Sequence, residues 1–112
     1  MNKKTFYNSE LLIIESSIKC NRKFNIRINK CGNIDIKFNN AEDDEHFVLY
    51  LVGNNQYLWR RHVIGYWGGW YEYPLNMKRN LNRSYTISDS YFNTLKEAIN
   101  YFNYYLKKYR KY

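Results

Sequence analysis

YLWRRHVIGYWGGWYEY, running from Tyr57 to Tyr73, holds all three tryptophans of the chain, four tyrosines, paired arginines and three of the five glycines. Its Gly68-Gly69 pair lies between mirror-image aromatics, Tyr66-Trp67 before and Trp70-Tyr71 after. Such a pair suits a two-residue hairpin turn, whose central positions need positive φ. That turn predicts Trp67 opposite Trp70, Tyr66 opposite Tyr71 and Ile64 opposite Tyr73. Alternation then puts Ile64, Tyr66, Tyr71 and Tyr73 on one face and Trp67, Trp70 and Glu72 on the other. Both faces are aromatic, and only one of them belongs to a core.

Working back from this stretch, Phe47 to Val52 reads as a strand apolar on both sides, turned by Gly53-Asn54-Asn55 into Gln56 to Ile64. An even-numbered turn places Phe47, Leu49, Leu51, Leu58 and Arg60 on the core face. It leaves Val48, Tyr50, Val52, Tyr57, Trp59 and Arg61 on an aromatic, cationic face, and a one-residue change in the turn exchanges the two. Upstream, Phe24, Ile26 and Ile28 alternate with polar residues, as do Ile34, Ile36 and Phe38 beyond Lys30-Cys31-Gly32. This predicts a hairpin closed by a three-residue loop with a left-handed glycine, pairing Ile28 with Ile34, Ile26 with Ile36 and Phe24 with Phe38. Arg27, Asp35 and Lys37 fall on its polar side. Asn39 to Glu45 is an acidic loop, read as a solvated connection rather than a metal site because adjacent carboxylates in a loop do not converge on a cation. Leu11-Leu12-Ile13-Ile14, short and half β-branched, is read as a strand from about Glu10 to Ser16, with a short helix from Asn8 or Ser9 as the alternative.

Downstream, Pro74 ends the meander because it cannot donate to an inner ladder. Leu75 to Ser84 reads as a basic loop and Tyr85 to Ser88 as a last strand. Thr94-Leu95-Lys96-Glu97 has the form of a capping box and opens a helix from Leu95 to about Tyr109. Its apolar stripe is Leu95, Ala98, Ile99, Phe102, Leu106 and Tyr109. The fold class is therefore α+β: a curved antiparallel meander of five to seven strands followed by one C-terminal amphipathic helix. This order of elements looks like that of single-strand-binding modules of the Whirly and Pur type, a likeness of architecture alone.

At 112 residues the chain fits one domain with one core. No apolar run approaches the roughly 18 residues of a membrane span, and no signal segment is visible at the N-terminus, so a cytoplasmic location is expected. Cys20 and Cys31 form no paired motif, which points to free thiols and to neither zinc nor disulfide. The formal charge is +8, and residues 46–112 carry 10 Lys/Arg against 3 Asp/Glu. Cations among planar aromatics are the footprint of a binder of single-stranded nucleic acid or of a nucleotide. On that reading Tyr57, Trp59, Trp67 and Trp70 stack on bases while Arg60, Arg61, Lys78, Arg79 and Arg83 meet phosphate. Lys and Tyr also have AT-rich codons, so the clustered Trp, Arg and Gly weigh more. The alternative is a protein-binding inhibitor or accessory module of a phage or mobile element, since Trp, Tyr and Arg also anchor interfaces. A homodimer is compatible with either. Enzymatic activity is not expected: His46 and His62 have no acid or nucleophile placed beside them by sequence, and Asp35-Ile36-Lys37 is too short a match to the nuclease Asp-x-Lys element. No cofactor is indicated.

Overall fold

The computed structural model describes residues 5–39, 45–64, 70–75, 77–79, 87–89 and 91–112. The elements are α1 (Asn8–Ser17), β1 (Phe24–Ile28), β2 (Ile34–Phe38), β3 (His46–Val52), β4 (Gln56–Ile64), β5 (Trp70–Pro74), β6 (Met77–Arg79), β7 (Ile87–Asp89) and α2 (Leu95–Tyr105). Strands β1 to β5 form one open antiparallel sheet in chain order, and β6 with β7 forms a separate two-stranded ribbon. The chain is an α+β domain with a five-stranded antiparallel sheet and a C-terminal helix.

The first hairpin follows its sequence pattern residue for residue: Phe24 pairs with Phe38, Ile26 with Ile36 and Ile28 with Ile34. Gly32 takes φ of 83° in its turn. A Cβ there would lie 2.6 Å from Thr5 Oγ1, so glycine is required both by conformation and by the close approach of the N-terminal segment. Downstream, the side chain of Thr94 accepts a hydrogen bond from Glu97 N at 3.1 Å and caps α2. That helix ends at Tyr105 and continues as one wider turn over Leu106–Arg110.

Leu11 to Ile14 lie in α1, not in a strand. Tyr7 O accepts from the amides of Glu10 and Leu11, and Glu10 Oε1 accepts from Tyr7 N at 2.9 Å, so the first turn is closed at its start. A helix can bury one side of a continuous apolar run, whereas a strand must cover both. Here Ile14 is buried while Leu12 and Ile13 face out.

Two registers differ from expectation. Gly53–Asn55 is a single 3-10 turn of three residues, with Asn55 at φ of 56°, and it pairs Val52 with Gln56. The odd count exchanges the faces of β4: Leu49 lies opposite Trp59 and Leu51 opposite Tyr57 on the core side, while Val48 lies opposite Arg60 on the other. In the next hairpin Ile64 pairs with Trp70 and not with Tyr73, which lies opposite Arg61. Glu72 thereby comes opposite His62, on the face that holds its polar partners. The expected Gly68-Gly69 turn and Trp67 lie outside the described residues, as do residues 40–44 of the acidic loop. Ile87 and Ser88 of the expected last strand do form β7.

Both helices lie on the core face. Phe6, Ile14, Ile34, Ile36, Phe38, Phe47, Leu49, Tyr57, Trp59, Ala98, Ile99, Phe102, Tyr105 and Leu106 make one buried cluster. The stripe expected on the C-terminal helix packs as its spacing predicts, with Leu49, Phe102 and Leu106 essentially inaccessible. Tyr109 departs from it and is exposed. Asn103 ties the helices together: its Oδ1 accepts from Lys19 N at 2.8 Å and its Nδ2 donates to Ser17 O at 3.0 Å.

Candidate functional site

The aromatic site expected on the Tyr57–Tyr73 stretch is divided by the fold. Trp59 has no exposed surface; its ring stacks on Phe102 at 4.2 Å and its Nε1 donates to Ala98 O at 2.8 Å. Tyr57 is buried as well, with its ring 5.9 Å from that of Phe6. Neither can stack on a base, because the three-residue turn has rotated both into the core. Arg61 is structural: together with Arg110 it binds the buried Glu45 carboxylate, which Arg110 reaches at 2.7 and 3.0 Å. Burial opposes ionisation of Glu45, but the hydrogen bonds and charges of Arg110 and Arg61 outweigh it and hold the carboxyl below its ordinary value. Arg60 lies on the opposite face and pairs with Glu72 at 2.9 Å. Trp70, Lys78 and Arg79 are placed by their backbone register alone, at β5 and β6, and Trp67 and Arg83 lie outside the described residues.

Two other surfaces collect chemistry. The first is the sheet face away from the helices, where cross-strand neighbours build a chain of polar contacts. Asp35, itself buried, accepts from His46 Nδ1 at 2.6 Å and lies 3.5 Å from Arg27. The His46 ring centre is 5.0 Å from that of His62. Tyr50 Oη donates to Glu72 Oε1 at 2.8 Å and lies 2.9 Å from His62 Nε2. With the phenol hydrogen directed at Glu72, it is His62 Nε2 that carries a hydrogen toward these oxygens. Burial lowers the pKa of His62 against the pull of the Glu72 charge, so its ring is neutral at physiological pH. Burial also raises the pKa of Tyr50, and Glu72 adds to the rise. Beside the His46–Asp35 pair lies a recess of about 360 Å³, bordered by Asn25, Arg27 and Lys37. The acids that sequence spacing did not supply to His46 and His62 thus come from strands β2 and β5. The signal was the alternation of β2, which puts Asp35 on the polar side with Arg27; what hid it was the pairing of β2 with β3.

The second surface is a groove of about 630 Å³ between the α1–β1 connection and the end of the C-terminal helix. Lys19, Lys107 and Lys111 border it with Asn103, Tyr104 and Tyr112, and no Asp or Glu does so among the described residues. The Arg22 guanidinium lies 4.3 Å over the Tyr112 ring, which also lies 4.7 Å from that of Phe38. Tyr104 is 49% exposed; Lys108 Nζ lies 5.4 Å over its ring and donates to its hydroxyl at 2.9 Å, and the Tyr101 ring is 5.9 Å away, so part of the ring is open to a planar group. Cations at a helix C-terminus complement the dipole and need no ligand. Lys19, one residue past the C-cap of α1, has the same explanation, and Arg22 is held over Tyr112; what the dipole does not account for is that lysines from two helix ends share one groove. Cys20, half-buried, also lines the groove, and burial raises the pKa of its thiol.

The chain matches no protein-family profile, no curated protein and no solved structure. The expected likeness to Whirly and Pur modules, from whose order the N-terminal α1 already departs, therefore carries no functional argument, and these two surfaces remain as candidates. Among the described residues no helix is long and apolar enough to cross a membrane.

Proposed function

We propose that the protein is a small single-stranded nucleic-acid-binding module whose contact surface is the groove at the end of the C-terminal helix. The observation that carries this reading is the meeting there of Lys19, Lys107 and Lys111 with the accessible Tyr104 ring, with no Asp or Glu among the described lining residues. Phosphates take the cations and bases take the ring, a combination that tolerates any sequence. The pairing of charge with aromatics expected of the tryptophan stretch thus falls on a different part of the chain. Asn103 holds the two walls together, so the groove exists before any ligand arrives.

Titration of labelled oligo-dT and oligo-U at two salt concentrations tests the reading. Dissociation constants tighter than about 10⁻⁴ M at physiological salt are expected. The triple change Lys19→Ala, Lys107→Ala, Lys111→Ala should reduce the salt slope by about two, at roughly 0.7 per phosphate lost on a single strand. Tyr104→Ala should weaken binding by about 1 to 3 kcal/mol at both salts. Negligible affinity for either oligonucleotide would remove this reading in favour of a protein partner.

A further inference from the structure

We propose that the recess beside His46 on the open sheet face is an acid–base site that cleaves RNA by internal transphosphorylation. This goes beyond the binding reading and does not need the groove to be the binding surface. The site has the parts that the reaction requires, drawn from three neighbouring strands. His46, from β3, borders the recess with its Nδ1 held by Asp35 of β2 at 2.6 Å. A buried carboxylate on one ring nitrogen fixes the tautomer and the ring plane, and stabilises the imidazolium that forms when the ring takes a proton. Arg27 of β1 and Lys37 of β2 border the same recess and supply positive charge where a phosphodiester would sit. A purely architectural network of cross-strand ion pairs accounts for the Arg27–Asp35 and Arg60–Glu72 contacts. It does not account for a recess that brings a carboxylate-oriented imidazole together with lysine and arginine.

The step balances without an oxidant, reductant or added water. His46 takes the proton of a ribose 2′-hydroxyl, and the freed electron pair on O2′ forms a bond to phosphorus. The P–O5′ bond breaks with its electron pair passing to O5′, which takes a proton from the Lys37 ammonium. Arg27 neutralises the non-bridging oxygens. The products are a 2′,3′-cyclic phosphate and a 5′-hydroxyl, and the imidazolium returns its proton to the Lys37 amine. His46 and Lys37 are catalytic residues in this scheme, and Asp35 is a positioning residue.

The test incubates the purified full chain in EDTA with end-labelled oligo-U and with oligo-dT of the same length. The proposal expects RNA cut to 2′,3′-cyclic phosphate and 5′-hydroxyl ends, with DNA intact because it lacks the nucleophile. His46→Ala should lower the rate by about 10² to 10⁴-fold, the range of a general base, and added imidazole should restore part of it. His46→Gln, closer in size, should be as inactive while melting like wild type. Asp35→Asn should lower kcat and leave KM unchanged, a split that a merely structural role would not produce. Intact RNA, 5′-phosphate ends, or cleavage that survives His46→Ala would overturn the proposal. Oligo-dT binding measured in parallel separates the two readings. Binding without cleavage removes the activity alone, whereas cleavage with no measurable binding removes the groove reading alone.

Discussion

Trp59, stacked on Phe102 and bonded to the Ala98 carbonyl, closes the contact between β4 and α2. Trp59→Ala should therefore cost on the order of 3 to 5 kcal/mol, read as a fall in the denaturation midpoint, with oligonucleotide affinity of the folded fraction unchanged. A variant that loses binding but melts normally would restore the stacking role that the structure removes. Glu45 makes a second residue-scale prediction. Its folded pKa lies below the unfolded one, so its contribution to stability is complete above the ordinary carboxylate value of about 4.3 and is lost as pH falls through the depressed value. Glu45→Gln leaves Arg61 and Arg110 without their shared carboxylate and should cost on the order of 3 kcal/mol near neutrality. The gap from wild type should narrow as acid protonates Glu45. Parallel melting curves between about pH 7 and pH 3 check this, and a gap that widens in acid would contradict the sign.

At the scale of elements, the first hairpin shows where sequence was legible and α1 where it was not. Lys23 to Asn39 could be read residue by residue because a glycine-ended loop closes locally and alternation then dictates the pairs. Gly32→Ala should cost more than about 1 kcal/mol from the left-handed conformation alone, with the approach of Thr5 adding to it. The β3–β4 and β4–β5 registers were not legible. Gly53-Asn54-Asn55 is compatible with an even or an odd turn, and one residue of difference moves Tyr57 and Trp59 from the surface to the core. Glu72 and its open-face partners could be found only after that register was known. The run Leu11 to Ile14 lacked a period to separate helix from strand, and tertiary burial of Ile14 decided it. Ile14→Ala should thus cost about 2 to 5 kcal/mol, whereas Leu12→Ala, at an exposed position, should stay within about 0.5 kcal/mol. Thermal melts of the pair distinguish a helix docked by one side from a strand buried on both.

For the whole molecule, the layer arrangement separates two kinds of charge. Arginines 61 and 110 converge on buried Glu45, and Arg60 pairs with Glu72, so these cations serve the architecture. Lys19, Lys107 and Lys111 border a groove without an Asp or Glu among its described lining residues. Composition showed an excess of positive charge, and only the packing of α1 against α2 could show which cations share a groove, since Lys19 and Lys107 are far apart in the chain. The proposed seat of a single strand is this groove. Amide shift mapping of the ¹⁵N-labelled protein against oligo-dT tests it most directly, because it reports position as well as affinity. Changes are expected to concentrate at Lys19, Asn103, Tyr104, Lys107 and Lys111. Saturable changes confined to other residues, with these five unmoved, would contradict it.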